Sequence, residues 1–228
     1  MADTVYTETT GKNKEFCNKL YKKTRVKRSY FGELKYFLET AGETKDRIVV
    51  SIGNGDNEPI FQNQIVSDLS IEGMRNVSSG YKCVVDAHNM PFKKDSVDLV
   101  YGWQVAHHLD IDRFFAQLKF VLKEGWRAIF VDNAYFPQWR YLRKLLPKSK
   151  VDPKEDLKEE CLAKRADEHG FSHFRAKRFN FFAYLINKLM RNMGFDVRLV
   201  FLEHLDNFCS GWKIFRDNMR NMVWGFEK

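Results

Sequence analysis

Three short β-branched runs in the first half of the chain, each closing on a glycine or an aspartate, constrain its fold more than any other feature. IVVSIG (residues 48–53) ends in a glycine turn, QIVSDLS (64–70) carries Asp68, and KCVVDA (82–87) carries Asp86. Continuous apolar runs of this length read as parallel strands buried on both faces. VDLVYGW (97–103) reads as a fourth strand and RAIFVDN (127–133) as a fifth. Between these two lies DIDRFFAQLKFVLKEG, with Phe114, Phe115, Leu118, Val121 and Leu122 on one helical side and Gly125 as the expected stop. Strands alternating with helices predict a Rossmann-like three-layer α/β sandwich: a mostly parallel, seven-stranded sheet with helices on both faces.

The flanks are less regular. Residues 14–40 read as a basic N-terminal helix, with Phe16, Leu20, Tyr21, Leu34, Phe37 and Leu38 at helical spacing and Gly42 as its end. This divides the chain into a helical segment, 1–42, and a main domain, 43–228. Within that domain, residues 136–180 break the pattern and are expected to form a helical cap or insertion after strand five. A helix, a stop at Gly194 and a sixth strand should follow. NMVWGFEK (221–228) fits a last strand, antiparallel to the rest.

Composition excludes several classes. With 44% hydrophobic and 15% aromatic residues the chain can bury a core. No stretch approaches the roughly 18 apolar residues of a membrane span, and the N-terminus reads without a secretory signal. Cys17, Cys83, Cys161 and Cys209 lie far apart, which argues against a zinc site or a disulfide framework and fits a reducing cytoplasm. The net charge of +8 is uneven. Residues 31–135 hold 11 Lys/Arg against 15 Asp/Glu, whereas 1–30 hold 8 against 3 and 136–192 hold 14 against 7. Basic flanks suit an anionic partner, and a solvated, solubilising surface accounts for them equally well. Peripheral membrane contact through residues 12–28 and 138–150 stays open.

Strand-end residues carry the functional reading, because ligands of open α/β sheets bind outside the carboxyl ends of the strands. Gly53, Asn54 and Gly55 let a backbone approach a ligand closely. Asp68 suits ribose hydroxyls, and Asp86 with Ala87 suits an adenine amino group and ring. A dinucleotide site would need a third glycine where Glu58 stands, and a carboxylate there would repel a pyrophosphate.

In this order the residues resemble the class I S-adenosylmethionine-dependent methyltransferases, the broad group with quinone-biosynthesis and sugar-modifying members. The resemblance covers roughly residues 47–205. Gly53-Asn54-Gly55 match the family's glycine motif, and Asp68, with Leu69, Ser70 and Met74 after it, matches its ribose acid. VVDAHNMPFKKDSVDLVYGWQVAHHL (84–109) is the closest match, and FFAQLKFVLKEGWRAIFVD resembles the helix and strand that follow. The resemblance implies S-adenosylmethionine as methyl donor, S-adenosylhomocysteine as product and no metal. It implies donor contacts from Ser51, Gly53, Asn54, Gly55, Asp68, Leu69, Asp86, Ala87, Trp103 and Gln104. Ser51 stands where the family usually has an acid, Asn57 where a third glycine is common, and only 12 residues separate Gly55 from Asp68, so the first helix must be short. Asp56, Glu58 or a backbone carbonyl would then take the ammonium contact.

His107 and His108 follow strand four, where the family's acceptor pocket begins. Either imidazole could serve as a base near neutral pH, and each is more readily read as a cap or a packing group. Tyr135, Trp139, His169 and His173 are candidates for the acceptor side, or for the core of the insertion. The expected acceptor is a small molecule or glycan, with an anionic one suited to the basic flanks. YGWQVAHH lacks the Asp/Asn-Pro-Pro-aromatic motif of enzymes that methylate base nitrogens, so a nucleic acid fits less well. A non-catalytic scaffold on the same fold is the other alternative.

Overall fold

The computed structural model describes residues 31–55, 57, 59–61, 63–134, 157–179, 186, 200–209, 211–212 and 221–228. In chain order the elements are α1 (Phe31–Ala41), β1 (Val49–Ile52), β2 (Ile65–Asp68), α2 (Ile71–Asn76), β3 (Tyr81–Val84), β4 (Val97–Trp103), α3 (Ile111–Val121), β5 (Leu122–Asn133), α4 (Glu159–Glu168), β6 (Ser172–Phe179), α5 (Val200–Cys209) and β7 (Asn221–Glu227). A short 3-10 turn, Ala106–His108, follows β4.

The seven strands form one sheet in the order β3-β2-β1-β4-β5-β7-β6. β1 to β5 pair in parallel, and β7 runs antiparallel between β5 and β6. Side chains alternate across it as the two-residue strand period requires. Val50, Val100, Ala128 and Phe130 join one core with Phe114, Phe115 and Leu118 of α3 and Leu162 of α4. Val49, Leu99, Tyr101, Ile129 and Val131 join the other with Phe37 of α1. Phe37 is fully buried, so the end of the N-terminal helix belongs to the domain's core. Gly42 ends that helix as expected, with a positive φ of 69° and its N–H on Leu38 O at 3.1 Å.

Several boundaries differ from the sequence reading. α3 stops at Val121: Leu122 is already extended and pairs with Val97, so Gly125 is no helix cap. Gly125 instead donates to Lys228 O at 2.9 Å beside β7. Among the described residues no helix lies between β1 and β2, where a short one was expected. Residues 172–179, placed in the insertion, form strand β6, with Phe174 and Ala176 packed against the larger core. The helix expected before it is α4, whose Leu162 and Ala166 are core residues rather than parts of a cap. The expected sixth strand after Gly194 is instead helical over residues 200–209, where Leu202, Asp206 and Cys209 bury one face at helical spacing. The antiparallel last strand is present. Residues 1–30 and 135–156, with most of the two basic segments, lie outside the described residues. No described helix is long and apolar enough to cross a membrane.

Candidate active site

The glycine turn after β1 is tied directly to the end of β2. Gly53 and Gly55 have φ of 62° and 60°. A Cβ on Gly53 would stand 2.3 Å from Val105 Cγ2, so only glycine fits beneath the loop that follows β4. Asn54 N donates to Ser67 O at 3.0 Å, and Gly55 N donates to Asp68 Oδ2 at 2.7 Å. Asp68 Oδ1 accepts from Ser70 N, also at 2.7 Å. Two backbone N–H groups on a buried carboxylate fix its direction. Asn54 and Asn57 close the turn: Asn54 Nδ2 donates to Asn57 O at 2.5 Å, and Asn57 Nδ2 to Asn54 O at 2.7 Å.

Asp86 lies one strand further on. Val85 N donates to Asp68 O at 3.0 Å, which sets the ends of β2 and β3 side by side. Gly53, Asp68 and Asp86 therefore converge on one edge of the sheet, with Ala87 buried beside them. Asp86 Oδ1 accepts from His88 N at 2.9 Å and lies 2.9 Å from His88 Nδ1. His88 Nε2 accepts from Asp110 N, the N-cap of α3, at 3.0 Å. An Nδ1–H donor with an Nε2 acceptor is the one neutral tautomer that serves both contacts. His88 went unnoticed in the sequence; the turn-forming spacing of Asp86 and His88 was its only local sign.

At the end of β4, Trp103 packs edge-on against Phe37, centroids 5.7 Å apart. Gln104 adopts φ +57°, rare for a residue with a Cβ, and its N–H donates to Val131 O at 2.6 Å. Backbone outliers of this kind cluster at functional sites. Three residues later His107 meets Asp132 at the end of β5. His107 Nδ1 is 2.7 Å from Asp132 Oδ1, and His107 N donates to Oδ2 at 3.2 Å. The ring of His108 lies against that of His107, centroids 3.9 Å apart. Asp132 was not among the candidates, because it sits 25 positions from its partner.

Other candidates fall elsewhere. Ser51 is fully buried and turns its hydroxyl away from the strand end, 3.5 Å from Ile65 O and 3.5 Å from Gln64 Nε2. Gln64 Nε2 in turn lies 2.6 Å from the Tyr101 hydroxyl. Burial raises the Tyr101 pKa and keeps that hydroxyl a donor. A neutral network thus takes the place of the expected acid, and Ser51 is withdrawn from the donor contacts. His173 is level with the start of β6, where Ser172 pairs with Glu227 and Glu227 with Arg127. The carboxyl edge of the parallel strands is at the other end of the strand, where Phe179 pairs with Asn221 and Asn221 with Asn133. His169 caps α4 and packs edge-on against Phe115, 5.8 Å away. His173 thus stands at the opposite end of the sheet, whereas His169 Nε2 lies 3.6 Å from Asp112 Oδ1 in the first turn of α3. Tyr135 and Trp139 lie outside the described residues. Among the described residues no group of three or more His, Cys, Asp and Glu could hold a metal ion.

A family model described as a methyltransferase domain matches residues 65–130. A search of curated proteins finds no match to the chain. Among solved structures, the chain is similar to geranyl diphosphate C-methyltransferase from Streptomyces coelicolor A3(2), in complex with S-adenosyl-L-homocysteine. Its TM-score is 0.59 at 11% identity, covering 85% of this chain and 77% of that one. It is similar to phosphoethanolamine N-methyltransferase 2 from Haemonchus contortus, in complex with S-adenosyl-L-methionine. There the TM-score is 0.55 at 16% identity, covering 87% of this chain and 52% of that one, so the chain spans about half that enzyme's length. YcgJ protein from Bacillus subtilis gives a TM-score of 0.57 at 16% identity, covering 86% of this chain and 98% of that one. At such identities these likenesses concern the fold, and the matched segment runs from β2 into β5 across Asp68, Asp86 and His107.

Proposed function

We propose that this chain, whose matched domain and fold are those of the class I S-adenosylmethionine-dependent methyltransferases, transfers the donor's methyl to an O or N atom of a small anionic acceptor. The observation that carries the reading is the bond between Gly55 N and the Asp68 carboxylate. It binds the glycine turn to the acid that would face a ribose, with Asp86 one strand away. The described residues fit the donor: Gly53 and Gly55 hold the left-handed turn at the strand end, Asp68 keeps its direction, and Asp86 is part-exposed. Gly53, Asn54 and Gly55 would face its methionine end, Asp68 and Leu69 the ribose, Asp86 and Ala87 the base, Trp103 and Gln104 the sulfonium side.

The bound donor supplies an electrophilic methyl, already activated by the positive sulfur. The chain's work is then to position an acceptor, exclude water and remove a proton. His107 and His108 stand at the β4 edge for that last task. The basic flanks support an anionic acceptor, and the geranyl diphosphate and phosphoethanolamine enzymes of this fold act on small phosphorylated molecules. A cytoplasmic site of action fits the unpaired cysteines Cys83, Cys161 and Cys209.

Titration calorimetry with S-adenosylhomocysteine tests the reading. Wild type should bind, and Asp68→Ala and Asp86→Ala should each weaken binding roughly tenfold or more. Indifference of the wild type to both donor and product would remove it. Transfer of labelled methyl to phosphoethanolamine or geranyl diphosphate then probes the acceptor class. A second reading, a donor-binding scaffold, is favoured by the neutral Ser51–Gln64–Tyr101 network; it expects binding with no turnover.

A further inference from the structure

The His107–Asp132 pair has more organisation than a loop tether needs. Asp132 is 1% exposed and accepts three N–H donors: His107 N and Nδ1, and its neighbour Asn133 N at 2.8 Å to Oδ1. A carboxylate so placed is an acceptor only, so it fixes the proton of the neutral imidazole on Nδ1. Nε2 then carries the free lone pair. The backbone bond from His107 N to the same carboxylate sets the ring's base as well as its orientation. The pair lies between the ends of β4 and β5, where an open α/β sheet receives its ligand, and next to the left-handed Gln104.

We propose that Asp132 is a positioning residue that holds His107 as the proton acceptor of the reaction. This rests on the methyl-transfer reading above. As the acceptor's lone pair forms its bond to the methyl carbon, the S–C bonding pair stays on sulfur and leaves a neutral thioether. The proton released from the acceptor's O–H or N–H goes to His107 Nε2. The resulting imidazolium has both nitrogens protonated and sits against a buried anion. Asp132 takes up no proton.

An Asp132→Asn exchange separates this role from simple packing. In either orientation the amide NH2 of an asparagine points at one of the backbone N–H groups. When it takes the Oδ1 place it also donates to His107 Nδ1 and drives the ring proton to Nε2. In two-bond 15N imidazole spectra at alkaline pH, neutral His107 should carry its proton on Nδ1 in the wild type, and any shift of that proton in Asp132→Asn should be toward Nε2. Turnover with phosphoethanolamine should fall roughly 10²- to 10⁴-fold, with the pH dependence of kcat altered. S-adenosylhomocysteine affinity should stay within about twofold of wild type, because neither Asp132 nor His107 is among the residues that would hold the donor. His107→Ala should lose about as much as Asp132→Asn, and the double variant no more. Wild-type protonation at Nε2 overturns the proposal even if the variant fails to fold, and so does wild-type turnover in a folded variant. Failure of the wild type to bind S-adenosylhomocysteine overturns the donor-site reading instead.

Discussion

The two halves of the sheet's carboxyl edge are held together in different ways. Over β1 to β3 the links are backbone N–H groups on nearby acceptors, such as Gly55 on Asp68 and Ser70 on Asp68. Over β4 and β5 a backbone bond, Gln104 N on Val131 O, is joined by a side-chain pair, His107 with Asp132, formed across a whole helix. The first kind gives a rigid cradle whose shape depends on glycine and on short turns. The second places a titratable ring and leaves one nitrogen for chemistry. A donor that keeps its shape suits the first edge, and a reacting acceptor suits the second.

Three substitutions sharpen or break that contrast. The largest effect is expected at Gly53. Alanine there is strained by its positive φ and collides with Val105, so Gly53→Ala should lose roughly 2–4 kcal/mol of stability in a denaturant titration. Paired with Val105→Ala it should recover part of that loss, and simple additivity of the two would show that the loop does not press on the turn. His88→Ala comes next. It removes the link between Asp86 and the N-cap of α3, and should cost about 1–2 kcal/mol and loosen S-adenosylhomocysteine binding by a few-fold. Equal stability and affinity would mean that Asp86 needs no support from the β4 side.

Tyr101→Phe should do least at neutral pH, at about 1 kcal/mol, because it loses the hydroxyl's bonds to one partner side chain, the Gln64 amide. Its signature is alkaline. Burial raises the folded-state pKa of Tyr101 above the unfolded value near 10, so the folded form holds its proton longer. That contribution is intact below pH ~10 and is lost as pH rises toward the folded value. Thermal denaturation followed from pH 8 to 11 should show a shallower decline in Tyr101→Phe than in wild type. Parallel declines would deny Tyr101 that part.

How much of this was legible depended on the range of the interaction. The strands around Val50, Val66 and Val100 announced themselves by β-branched runs, and the turn and acids by their place at the ends. β6 did not, because SHFRAKRF offers only Phe174 and Ala176 to the larger core among charged neighbours. Residues 200–209 misled in the opposite sense. Phe201 and Phe208 are exposed on α5, so apolar residues lie on more than one side and blur the helical period. Ser51 sits on β1 as read, and its hydroxyl meets Ile65 O and Gln64 Nε2, since a strand position fixes a face and not a partner. Asp132 was invisible as a partner of His107, because no local pattern reports which loop will fold over which strand end.

The position of β7 bears on how the molecule assembles. It is the last described strand in sequence, yet it lies inside the sheet with β5 on one side and β6 on the other. Until it arrives, both neighbours present open edges able to pair with other chains, and residues 180–220 separate it from β6. Synthesis order and pairing order are thus opposed, and the late insertion of one penultimate strand sets a kinetic window in which aggregation competes with completion of the sheet.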